Sequence, residues 1–129
     1  MTPHLYTEEE ANTLLPTLRL ILEELRRLAH DAVLFRRQLT MIMPAARVNG
    51  QAQEALALEK ALMEIQRRFG DLISQLEELD VELKDVETGL IDFRSIRGGR
   101  VVYLCWQLGE DRIRYWHELD AGFRRRQPL

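Results

Sequence analysis

The chain has 129 residues, 46% hydrophobic and 30% charged, with a formal net charge of −3, a balance typical of one folded domain with a charged surface. A single cysteine, Cys105, excludes an intrachain disulfide, so nothing calls for an oxidising compartment. No stretch approaches the roughly 20 apolar residues of a membrane span, because Arg19, Arg26 and Arg27 interrupt the longest candidate.

The opening Met1-Thr2-Pro3-His4 lacks the basic start and apolar run of a signal peptide, so cytoplasm is the expected location. Thr7-Glu8-Glu9-Glu10 fits a capping box, with a Thr hydroxyl for one orphan N–H and a Glu three residues on to reach back. A short helix is expected through Leu14. Pro16 then predicts a kink, or a new helix with the proline in its first turn.

From Leu14 the apolar positions run Leu18, Ile21, Leu25, Leu28, Ala32, Phe35, Leu39 and Ile42, in alternating steps of four and three. That is a heptad seam. Pro44 and Asn49-Gly50 break it, and it resumes as Ala55, Leu58, Leu62, Ile65, Phe69, Leu72, Leu76, Leu79 and Leu83. Paired end to end, Ile42 with Ala55 down to Leu14 with Leu83, the residue numbers always add to 97. A constant sum is what an antiparallel hairpin folding back near residue 48 requires. The same register brings Arg36 level with Glu59 and Asp31 level with Arg68.

A second apolar strip lies beside the seam: Leu15, Leu22, Ala29 and Val33, with Leu56, Met63 and Ile73. A helix apolar over a broad face is covered by something. The C-terminal residues are too few to cover a hairpin some 40 Å long at about 1.5 Å per residue. The loop-end half (Val33, Leu56, Met63) is therefore expected to meet a partner, which makes a homodimer or higher oligomer the expected state. A further protein partner is left open.

After Leu79 the period changes. Val81 to Val86 reads as a helix exit, Leu90-Ile91-Asp92-Phe93 as a short strand and Gly98-Gly99 as a turn. Arg100 to Leu108 is the clearest strand, rich in β-branched and aromatic residues. Val102, Leu104, Trp106 and Leu108 share one face, with Val101, Tyr103 and Cys105 on the other. Gly109-Glu110-Asp111 reads as a turn, and Arg112 to His117 as the returning strand, with Ile113, Tyr115 and His117 on one face.

The fold class expected is α+β, mainly α. It is a long, coiled-coil-like antiparallel helical hairpin with a small C-terminal three-stranded antiparallel β-meander packed near Leu15, Leu22 and Ile73. One domain spans the chain: a short helix and first long helix over 7–42, a second long helix over 51–83, the meander over 89–118 and a tail over 119–129.

The segments VELKDVETGLIDF, GRVVYLCWQLGE and WHELDAGFRRRQPL, with the opening TEEEANTLLP, resemble a bacterial family, the domain of unknown function 2203. The resemblance covers nearly the whole chain and is most specific in the C-terminal phrase. It implies no particular reaction or ligand.

The densest polar collection is Lys84, Asp85, Asp92, Arg100, Glu110, His117, Glu118, Asp120 and Arg126. A neutral His117 offers a metal ligand, with Glu118, Asp120, Asp92 or Asp85 supplying oxygen. No zinc spacing such as H-x-x-x-H or C-x-x-C is present, so no cofactor is predicted, and the commoner role for such a histidine is a structural hydrogen bond. Asp85, Asp92, His117 and Glu110 are the candidates for acid–base work if they converge. Otherwise Asp85 serves the helix exit and Asp92 meets a strand arginine. Cys105, in mid-strand, reads as a buried, inert thiol.

Residues 89–129 carry eight arginines against five acids, +3, which leaves −6 for residues 1–88. Arg100 and Arg126, with Trp106 and Tyr115, are candidate ligand-binding residues, since arginines interleaved with aromatics suit a phosphate or a single strand. The acidic whole chain counts against nucleic acid, and the arginines have the acidic hairpin to meet instead. The leading expectation is a non-enzymatic, self-associating interaction module. A small enzyme or ligand-binding protein with its site at the meander–hairpin junction is the alternative, and nucleic-acid or phosphate binding the third.

Overall fold

A computed structural model describes residues 2–45 and 50–129, without the side chain of Ala45. Helix α1 runs Glu8–Ile42 and helix α2 runs Ala52–Glu78. They form the expected hairpin, although the turn predicted near residue 48 lies outside the described residues. The capping box is made in full: Thr7 Oγ1 accepts the Glu10 N–H at 3.1 Å, and Glu10 Oε1 accepts the Thr7 N–H at 3.0 Å. Helix α1 continues through Pro16 as one element, so there is no separate short helix. The proline sits one turn after Asn12 and leaves that residue's carbonyl without its helical donor.

Five strands follow: β1 Val81–Asp85, β2 Leu90–Arg97, β3 Arg100–Gln107, β4 Tyr115–His117 and β5 Gln127–Pro128. They form an antiparallel sheet in chain order. The meander is thus wider than its expected three strands by one on each edge. Helix α2 stops at Glu78, with Leu79 as its cap and Asp80 in the left-handed region (φ 56°). Val81–Asp85 is therefore a strand, not a helix exit, and Leu83 belongs to the sheet instead of the seam. The returning strand is shorter than expected. Ile113 is not on the face of Tyr115 and His117, but is buried in the core with its N–H held by Asn12 Oδ1 at 2.8 Å.

The inner face of the sheet (Val81, Ile91, Phe93, Val102, Leu104, Trp106, Trp116) closes over the base of the hairpin, where Leu15, Leu18, Leu22, Leu25 and Leu76 are buried. Fully burying one such side chain is worth about 1.5–3 kcal/mol. Tyr6 fastens the two layers. Its N–H meets the Arg94 carbonyl at 2.7 Å, its hydroxyl donates to the Leu79 carbonyl at 2.5 Å, and its own carbonyl accepts from Ser95 Oγ at 2.5 Å.

Away from the base the hairpin is half covered. A groove there brings Leu28, Ala29, Ala32, Val33 and Arg36 level with Leu62, Met63, Ile65, Gln66 and Phe69. Val33, Leu56 and Met63 stand exposed. Neither expected ion pair between the helices forms. Arg68 reaches Glu24 at 3.2 Å, and Asp31 is taken by Arg27 of its own helix at 2.9 Å. No helix among the described residues is long and apolar enough to cross a membrane.

Candidate functional site

The outer face of the sheet, away from the helices, holds the polar residues. Its register follows from the two-residue turn Gly98-Gly99, which sets Arg97 opposite Arg100 and, five places back, Asp92 opposite Cys105. On the next strand Tyr115 comes opposite Cys105, and His117 opposite Tyr103. Directly paired residues share a face, so Asp92, Cys105 and His117 come from three neighbouring strands onto one patch.

All three are buried: Asp92 at 2%, His117 at 2% and Cys105 at 0% relative exposure. His117 Nε2 lies 3.1 and 3.0 Å from the two carboxylate oxygens of Asp92. His117 Nδ1 lies 2.8 Å from the Glu118 carbonyl oxygen. A carbonyl only accepts, so Nδ1 carries a proton. One further proton must then lie between Nε2 and the carboxylate, because two bare acceptors would repel.

Burial pushes the Asp92 carboxyl above its ordinary value, against the pull of the His117 ring and the Cys105 thiol. Burial, then the Asp92 charge and its hydrogen bond, push the Cys105 thiol well above its ordinary value. A thiol so held is protonated and is not a ready nucleophile. Of the two readings for Asp92, convergence with His117 or a pair with a strand arginine, its carboxylate meets the histidine.

The other candidates are placed apart. Asp85 is exposed and caps its own turn, accepting from Thr88 Oγ1 at 2.6 Å. Glu118 turns its carboxylate to Arg100, and Asp120 is exposed. Glu110 holds Arg126 at 2.5 Å. Arg126 is only 9% exposed, its guanidinium over the Tyr115 ring at 4.0 Å and the Phe123 ring at 4.6 Å. Its Nε–H is buried and has no hydrogen-bond partner. Trp106, a candidate ligand-binding residue along with Tyr115, lies on the opposite face in the core, donating to the Glu110 carbonyl at 3.1 Å. Lys84 pairs with Glu82 at 3.0 Å over the Tyr103 ring.

Sequence reasoning thus brought forward Asp92 and His117, which meet, and set aside Cys105, which joins them. The signal for Cys105 was available. The two-glycine turn fixes the register, and counting from it pairs Cys105 with Asp92.

No curated protein and no solved structure matches the chain. The model of one family, described as "Uncharacterized conserved protein (DUF2203)", matches residues 4–129. That span takes in both helices and the whole sheet, and the chain belongs to this family.

Proposed function

We propose that the chain is a non-enzymatic, self-associating interaction module in which two hairpins join along their distal halves. The observation that carries this reading is the change of burial along the apolar strip beside the seam. Leu15 is 2% and Leu22 1% exposed under the sheet, whereas Val33 is 45%, Leu56 49% and Met63 61% exposed beyond it. An apolar patch of this kind on an otherwise charged helix pair marks a contact surface.

Charge favours a second copy as the occupant. Arg36 and Arg37 near the end of α1, and Glu54 and Glu59 near the start of α2, form no ion pair among the described residues. A two-fold, self-complementary contact sets the basic helix end of one copy against the acidic start of the other. Nucleic acid is a poorer match, because Arg94, Arg100, Arg114 and Arg126 each already meet an acid of the same module.

Native mass spectrometry and sedimentation across a dilution series test the reading. The wild type is expected to be dimeric at high concentration. The double variant Val33→Asp, Met63→Asp is expected to be monomeric with the same circular dichroism spectrum, since both positions are exposed in one chain. A wild type that stays monomeric at every concentration overturns it.

A further inference from the structure

We propose that Asp92, Cys105 and His117 form a binding site for a divalent transition metal of the zinc class. The site is independent of the self-association above.

Its donors come from three adjacent strands, and one ligand atom from each lies within 4.8 Å of the other two. A tetrahedral zinc with bonds of about 2.0 Å to N and O and about 2.3 Å to S sets its ligands roughly 3.3–3.7 Å apart. The His117–Asp92 separation of 3.0 Å is already near that, and the thiol, within 4.8 Å of both, has up to about 1 Å to close. Thiolate, imidazole and carboxylate together are a borderline donor set, which suits zinc better than calcium or magnesium.

The surroundings fit as well. His117 gives its Nδ1–H to the Glu118 carbonyl at 2.8 Å, the outer bond by which proteins orient a metal-binding imidazole and leave Nε2 as the donor. Arg126, the cation whose charge reaches Cys105, is answered by Glu110 at 2.5 Å, so it does not stand unopposed against an incoming ion.

Charge closes too. Without metal, the pair Asp92–His117 shares one proton and the thiol keeps another. A divalent ion replaces both: two protons leave, and a carboxylate and a thiolate balance the two positive charges of the ion. An ion also answers why a carboxylate, an imidazole and a thiol sit together where polar groups are costly.

The test uses the full chain after chelator treatment, titrated first with Co2+ and then with Zn2+. Expected is one ion per chain, with the near-ultraviolet absorption of a thiolate-to-cobalt bond that Zn2+ abolishes. Cys105 is the only thiol, so that band separates this site from surface ions at His4–Glu10 or His30–Glu87. Cys105→Ser should lose the band, and Asp92→Asn should weaken binding at least tenfold. Zn2+ should raise the melting temperature of the wild type but not of Cys105→Ser, a comparison that holds even if the variants are less stable. A wild type without the cobalt–thiolate band overturns the proposal, as does Zn2+ stabilisation that survives in Cys105→Ser. In either case the three residues are a hydrogen-bonded core cluster only.

Discussion

The two ends of the helical hairpin share one heptad rhythm and have different surroundings. At the base, Leu18, Leu22 and Leu25 are buried because the sheet closes over the face that the second helix leaves open. At the far end Phe35, Leu39 and Leu62 keep partial exposure, because two helices alone bury the small Ala32 and Ala55 but leave the larger seam side chains open on one side. The lesson is that a heptad pattern specifies which residues face the neighbouring helix. It says nothing of what covers the pair.

Substitutions can break that comparison. Leu25→Ala should cost about 2–5 kcal/mol, the range for emptying a closed core, read from urea unfolding. Leu39→Ala, measured where the protein is monomeric, should cost less than half as much. Equal costs would mean that the distal seam is as closed as the base.

A smaller effect separates two glycines. Gly89 has φ +64°, and a Cβ there would stand 2.5 Å from Leu108 Cγ and Cδ1. Gly89→Ala should therefore lose about 1–3 kcal/mol through backbone strain and crowding. Gly70 lies in α2, and a Cβ there would meet nothing within 4 Å. Gly70→Ala should gain about 0.5–1 kcal/mol from helix propensity. A loss at Gly70 would reveal a partner on that face.

The smallest expected effect is electrostatic. A hydrogen-bonded Arg114 guanidinium holds the Asp111 carboxyl at about 2, below the ordinary aspartate value of 3.8. The folded value is the lower one, so the stabilisation is present above the unfolded value and is lost as pH falls toward about 2. The pair is exposed, and its contribution is correspondingly small. Asp111→Asn should lower the urea midpoint slightly near neutral pH, and the difference should vanish in strong acid.

Much of this was legible in the sequence, for identifiable reasons. The constant residue sum announced the hairpin, and β-branched and aromatic density announced β3. Strand β1 was hidden because Leu76, Leu79 and Leu83 continue the helical steps even though the chain has already turned at Asp80. Strand β5 has only two residues, too short for any period. For the site, Asp92 and His117 stood out by residue type. Cys105 did not, because a thiol between Leu104 and Trp106 reads as core, and only the strand register shows which neighbours it has.

Tyr6 and Asn12 have a kinetic consequence. Each strand pairs with the one beside it in sequence, and the helices are joined by a short connection, so each half of the molecule assembles from near neighbours. The bonds that unite the halves are of another kind: Tyr6 to Arg94, Ser95 to Tyr6 and Ile113 to Asn12 span 88, 89 and 101 residues. Contacts of such long sequence separation slow folding, so joining the sheet to the hairpin is the step expected to limit the folding rate.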